Sequence, residues 1–254
     1  MPEPWTESYL SRIGYDGSRE PSLETLRALQ ERHLLTVPFE NLDIHWKRPI
    51  VVDGKRFLEK VVRQRRGGFC YELNGAFALL LRSLGFSVTM LSARVHSAAG
   101  GFGPPFDHMA LLIRFGEQSR WLTDVGFGES HLQPLNLDAR LEQHDPAGVF
   151  RIVPGEEFQM QSRHDGEWVP QFAFTLAPHE LSEYAPMCDV QQFSPESHFT
   201  KGRVCTIATE SGRVTLAETR LIITRDGERT EIPVAAEEWD EVLLETFVIR
   251  APRA

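Results

Sequence analysis

The chain has 254 residues, enough for one large domain or two to three small ones with a buried core. Hydrophobic residues at 41% and charged residues at 25% are the balance of a globular chain and argue against a disordered one. With 36 acidic residues against 27 basic ones the net charge is −9, which repels a phosphate backbone and argues against a nucleic-acid partner.

The start, Met-Pro-Glu-Pro-Trp, has neither a basic region nor an apolar core, so no secretory signal is expected there. The longest apolar stretch, residues 76–81, is far too short to span a bilayer, and no membrane association is expected. The three cysteines, Cys70, Cys188 and Cys205, are irregularly spaced, which points to a reducing cytosol rather than a disulfide framework.

The first third reads as helical. Pro21-Ser22 precedes Leu23, Leu26 and Leu29, an apolar stripe with Glu24 in its first turn. Residues 55–63 suit a short helix, with Phe57, Leu58, Val61 and Val62 apolar. Residues 70–84 carry Leu73, Phe77, Leu80, Leu81 and Leu84, a strong helical face.

The pattern changes after Gly85. Strands are predicted around Phe86 to Val95, over 109–115, 121–125, 149–153 and 158–161, and over 168–174, with Asp165-Gly166 as a turn. Residues 186–200, rich in Pro, Ser and Phe, read as a long connection. Strands follow at 204–208, 214–217 and 221–224, with Asp226-Gly227 turning the chain into 230–234. Residues 235–248 place Trp239, Val242, Leu243 and Phe247 on one helical face. Helices, then strands, then a small mixed unit indicate an α+β fold.

The chemistry is sought first at Arg66-Gly67-Gly68-Phe69-Cys70-Tyr71-Glu72-Leu73-Asn74. Two glycines allow a tight turn, and a helix follows at once, so Cys70 is expected at a helix N-terminus. Free N–H groups there favour a thiolate, lowering a thiol from its ordinary pKa of about 8.5, and could stabilise an oxyanion. The plainer reading of Cys70 is a small buried hydrophobe, and that reading is preferred for Cys205.

A cysteine nucleophile needs a base and an orienting acceptor. His108 follows the loop 98–105 and opens the strand 109–115, while Asp124 ends the strand 121–125. A carboxylate between Leu122 and Val125 is costly to bury without a partner, and a hairpin would bring it beside His108. Asp107 is a rival orienter, but its neighbourhood to His108 on a strand sends it to the opposite face. The plainer readings are a loop histidine and a turn aspartate, and the same three residues could also form a mononuclear metal site. No P-loop, dinucleotide fingerprint, H-E-x-x-H or C-x-x-C is present.

At these residues the sequence resembles the arylamine N-acetyltransferases. The matching pieces are Val37-Pro38-Phe39-Glu40-Asn41-Leu42-Asp43, the segment from Arg66 to Asn74, His108 at a strand start, and Asp124-Val125-Gly126-Phe127-Gly128. The resemblance implies an α+β fold with a cysteine-protease-like core. Residues 1–85 would form a helical domain carrying the nucleophile, 86–185 an antiparallel β-barrel domain carrying His108 and Asp124, and 186–254 an α/β lid. It implies ping-pong acetyl transfer from acetyl-CoA through Cys70 to an arylamine, hydrazine or arylhydroxylamine, with His108 activating the thiol and Asp124 orienting it. No permanently bound cofactor and no metal are implied. Glu40 and Arg66 would be a structural ion pair, Phe39, Val95, Phe127 and Phe199 would line the acceptor pocket, and Gly126 and Gly128 would let CoA approach the backbone. Aromatic core packing is the alternative for Phe39 and Phe199. The glycine- and proline-rich approach at 100–105, with Asp107 ahead of the histidine, departs from the family pattern. The same triad would also serve an amide synthase or an acyl hydrolase using another donor, or survive in a non-catalytic binding module.

Overall fold

A computed structural model of the protein describes residues 3–97 and 100–252. The first two residues of the predicted loop 98–105 lie outside the described residues, as do the outermost two at each end of the chain. The helices come first: α1 (Pro4–Arg12), α2 (Leu23–Thr36), α3 (Leu42–His45), α4 (Gly54–Leu58) running into a π-turn (Glu59–Arg63), and α5 (Cys70–Ser83). A two-residue strand, β1 (Phe39–Glu40), interrupts them. The Ser22 hydroxyl caps α2 by accepting from Thr25 N–H. Helix α1 was not foreseen; it starts on Pro4, where the missing N–H costs nothing, and buries Tyr9 and Leu10. Helix α5 is the central element, with Leu73, Ala76, Phe77, Ala78, Leu80 and Leu81 all fully buried.

Eight antiparallel strands follow: β2 (Ser87–Val95), β3 (His108–Phe115), β4 (Ser119–Thr123), β5 (Leu135–Asn136), β6 (Gln143–Asp145), β7 (Gly148–Val153), β8 (Phe158–His164) and β9 (Glu167–Phe174). Their order, β5-β4-β3-β2-β9-β8-β7-β6, makes a nearly closed barrel-like sheet. Side chains bridge its seam. The Gln143 amide accepts from Asn136 N–H and donates to Asn136 C=O, at 2.7 and 3.0 Å, and the Asp145 carboxylate accepts from Leu132 and Gln133 N–H. Strand β3 is a continuous apolar run because both its faces are buried. Ala110 and Leu112 enter the barrel core, whereas Met109, Leu111 and Ile113 pack with the helices. His108 shares the parity of Ala110 and Leu112, so β3 aims its ring at the barrel end.

The segment predicted as a connection after residue 185 is instead a helix, α6 (Ala185–Phe193), followed by a 3-10 turn (His198–Thr200). Pro186 sits in the first turn of α6, where proline is tolerated; the Pro- and Ser-rich composition concealed the helix. The last strands are β10 (Cys205–Thr209), β11 (Gly212–Ala217), β12 (Arg220–Arg225) and β13 (Glu228–Pro233). They form a second sheet in the order β1-β10-β11-β12-β13, covered by α7 (Trp239–Phe247). Leu42, Cys205, Leu216, Trp239 and Leu243 make its core. Glu40 pairs with Cys205 and Phe39 with Thr206, so the motif at 37–43 stitches the helices to this sheet. The expected α+β class is what the chain adopts. Among the described residues no helix is long and apolar enough to cross a membrane.

Candidate active site

Cys70 is the first residue of α5, with Phe69 as N-cap. The glycines before it have no positive φ. They permit close approach. A Cβ on Gly67 would lie 1.9 Å from Pro38 O, and one on Gly68 would lie 2.7 Å from the Glu72 carboxylate. Gly68 bridges to Phe39, and its C=O accepts from Glu40 N–H at 2.9 Å. The strand β1 and the helix start are thereby locked together.

His108 Nε2 and Asp124 Oδ2 are 2.6 Å apart, and both residues are almost fully buried. The β3–β4 ladder ends at the Leu111–Thr123 pair, so Asp124 lies just past β4 and reaches His108 diagonally rather than as a strand partner. Asp124 Oδ1 also accepts from Asn74 Nδ2 and from Gly126 N–H, each at 2.8 Å. With Nε2 held by the carboxylate, the other ring nitrogen, Nδ1, is the one left for a thiol. Phe127 and Phe172 hold the ring, each at a centroid distance of 5.2 Å.

Asn74, which the sequence reading quoted but did not single out, is the joint of the site. It lies four residues after Cys70, on the same helix face. Its Nδ2 donates to Met109 O as well as to Asp124, and its Oδ1 accepts from Val125 N–H at 3.0 Å. One amide thus fixes the nucleophile helix, the His108 strand and the Asp124 turn relative to one another. The rival orienter Asp107 is engaged elsewhere: its Oδ1 accepts from Gln191 Nε2 on α6 at 2.5 Å.

Burial sets the electrostatics. Cys70 is only 3% exposed, and this burial pushes its thiol well above the ordinary range, although Met109 N–H donates to the sulfur. The nearby Asp124 charge adds to the upward shift. The sequence led to the expectation of a thiol lowered by the helix N-terminus; here the largest influence is burial, and its direction is upward. Burial also pushes the Asp124 carboxyl up, but the charge and hydrogen bond of His108, with the bonds from Asn74 and Gly126, hold it below the usual carboxylate range.

Glu40 and Arg66 form a fork, with Arg66 Nη2 at 2.6 Å and Nε at 3.0 Å from Glu40 Oε1. The pair belongs to a larger buried cluster that the sequence did not reveal. Arg66 also reaches Asp43, Lys60 bridges Asp43 and Glu72 at 2.8 Å each, and the Arg66 guanidinium stacks on Trp46. Among the described residues no group of three or more His, Cys, Asp or Glu is spaced to hold a metal ion.

Phe39 and Phe199 are half-buried and in contact, with ring centroids 6.0 Å apart, and Phe69 closes the cluster against Phe199. Val95 and Phe127 are also half-buried; Val95 pairs with Phe172 across β2 and β9. Gly126 packs on the nucleophile helix: a Cβ there would lie 2.8 Å from Cys70 Cα. Gly128 has φ +89°, a left-handed conformation that suits glycine, and faces the Phe39 ring. From Phe127 a cleft of about 680 Å³ runs between the barrel and the second sheet, lined by Glu129, Phe150, Arg163, Arg213 and Asp226 among others.

Known proteins share this fold. A sequence model of the N-acetyltransferase family matches residues 22–254. The chain is 36% identical over 216 residues to an Escherichia coli arylamine N-acetyltransferase, covering 84% of this chain and 76% of that protein. It superposes on the arylamine N-acetyltransferase structure from Salmonella typhimurium with a TM-score of 0.90, at 30% identity, covering 97% of this chain and 92% of the other. A Bacillus cereus arylamine N-acetyltransferase superposes equally well, with a TM-score of 0.90 at 25% identity, covering 98% of this chain and 100% of the other. That enzyme is described as having a unique Cys-His-Glu catalytic triad; here the carboxylate on the histidine is Asp124. The chain belongs to the arylamine N-acetyltransferase family.

Proposed function

We propose that the protein transfers an acetyl group from acetyl-CoA to an arylamine, arylhydrazine or arylhydroxylamine by a ping-pong mechanism through a Cys70 thioester. The observation that carries the reading is the 2.6 Å contact between His108 Nε2 and Asp124, which leaves Nδ1 as the base for a thiol anchored through Asn74 to the same two strands. His108 Nδ1 takes the Sγ proton as Sγ attacks the acetyl carbonyl carbon, and Asp124 stabilises the imidazolium that forms. The first-turn N–H groups of α5 face the developing oxyanion. Collapse breaks the bond to the CoA sulfur, which leaves with the proton from His108. The acceptor nitrogen then attacks the thioester and gives its proton to His108. The departing Cys70 sulfur takes that proton back.

Phe39, Val95, Phe127 and Phe199 offer an aromatic, half-buried lining suited to a flat neutral amine, and Gly126 and Gly128 lie on the CoA side. Glu40 and Arg66 are structural support. The enzyme needs no permanently bound cofactor and works in the cytosol. Residues 1–85, 86–185 and 186–254 act as helical, barrel and lid units. Initial rates over a grid of acetyl-CoA and arylamine concentrations test the mechanism. Parallel double-reciprocal lines are expected; intersecting lines would mean direct transfer in a ternary complex.

A further inference from the structure

Glu72 stands two residues from Cys70 and takes no part in the proposed acyl transfer, yet its carboxylate is committed on both sides. Oε2 accepts from the N-cap Phe69 N–H at 3.1 Å, bracing the helix start from its third residue, and Oε1 accepts from Lys60 Nζ at 2.8 Å. Both partners are donors, so only the ionised form satisfies both; a protonated acid or a glutamine presents a hydrogen to one of them. The surroundings work against that ionised form. Glu72 is 3% exposed, and the cluster holds three carboxylates, Glu40, Asp43 and Glu72, against two cations, Lys60 and Arg66. Lys60 is shared among all three acids, whereas Arg66 pairs only with Glu40 and Asp43. Glu72 is thus the carboxylate with the weakest claim on a cation. Cys188 on α6 lies within reach of its charge. Glu72, Lys60 and Asp43 line a pocket of about 530 Å³, apart from the cleft at Phe127, with Arg48, Lys55, Arg56 and Glu59 also in its lining.

We propose that Glu72 is a titrating positioning residue, whose ionised carboxylate holds the Phe69–Cys70 helix start in the reactive arrangement and whose protonation through that pocket releases it. The inference rests on Cys70 being the nucleophile, as proposed above. Burial first, with the neighbouring carboxylates Glu40 and Asp43 working against Lys60, raises the Glu72 carboxyl to about 7. A group titrating there goes from about one-tenth to about nine-tenths ionised between pH 6 and pH 8, adding roughly a tenfold step to whatever depends on it.

The test is the rate of Cys70 alkylation by iodoacetamide from pH 6 to 9, in the wild-type protein and in Glu72→Gln, with no acyl donor present. The wild-type acid limb is expected to be steeper by about a tenfold factor over those two pH units, and the variant to react more slowly at pH 8. Profiles that differ only by a constant would overturn the proposal. If the variant fails to fold, ¹³C-glutamate-labelled wild-type protein decides. A buried carboxyl titrating near pH 7, in step with loss of alkylation rate, supports the inference, and none titrating above pH 6 refutes it. A Cys70 that never reacts faster than Cys188 and Cys205 would instead refute the nucleophile assignment itself.

Discussion

Replacing Asp124 by asparagine exchanges one oxygen for an NH2 group and should nearly abolish acetyl transfer. Three donors converge on the carboxylate: His108 Nε2 at 2.6 Å, and Asn74 Nδ2 and Gly126 N–H at 2.8 Å each. An asparagine carbonyl can still serve Asn74 and Gly126, so its NH2 must face His108. That requires a lone pair on Nε2 and moves the ring proton to Nδ1. The nitrogen proposed to receive the thiol proton then carries one already, and no carboxylate is left to stabilise the imidazolium. The same change in a serine triad costs about 10⁴ in kcat, or about 5 kcal/mol of barrier. A fall of roughly 10³ to 10⁴ is therefore expected in single-turnover release of CoA by Asp124→Asn, with the far-ultraviolet circular dichroism unchanged. Asp107→Asn should cost less than about tenfold, because Asp107 is bound to Gln191 and not to His108 Nε2. A rate for Asp124→Asn within tenfold of wild type, or equal losses in both variants, would refute the assignment.

Other substitutions probe the frame. Gly67→Ala sets a methyl 1.9 Å from Pro38 O and should cost at least about 3 kcal/mol in urea unfolding; a loss below 1 kcal/mol would show that the β1 junction yields easily. Asn74→Ala removes the joint between helix, strand and turn; acetyl-enzyme formation should drop by more than about a hundredfold while binding of CoA, followed calorimetrically, holds. Glu72 bears on stability with a definite sign. Its folded pKa of about 7 stands above the ordinary 4.5, so its contribution is complete below pH 4.5 and is lost as pH rises to 7. Relative to Glu72→Gln, the wild-type protein should lose about 3 kcal/mol between pH 4.5 and 8; a difference that does not vary with pH would contradict this. Asp124 has the opposite sign, its contribution being present above about pH 4 and lost below, as its lowered carboxyl protonates.

Much of this was legible in the sequence for physical reasons. The apolar face from Leu73 to Leu84 could only be a buried helix, and glycines ahead of it placed Cys70 at its start. His108 and Asp124 were traceable because each flanks an apolar strand that would otherwise leave a polar group stranded. What stayed hidden depends on three-dimensional packing. Asn74 looks like one more polar helix residue until the His108 strand and the Asp124 turn converge on it. Lys60, Asp43 and Glu72 lie in three separate segments, and no spacing rule pairs them. Helix α6 was masked by Pro186 and its serine-rich surroundings. At Cys70 the helix start was legible and the depth of its burial, which pushes the thiol up, was not. Gln143 and Asp145 close the barrel seam through side chains, a joint without backbone periodicity to announce it.

The central claim is that Cys70 carries the acetyl group, and intact mass tests it most directly. The protein is incubated with acetyl-CoA and no amine. One added acetyl group is predicted, absent from Cys70→Ala. An unchanged mass, with the thiol still open to iodoacetamide, would contradict the account and leave an active cysteine that takes its acyl group from another donor.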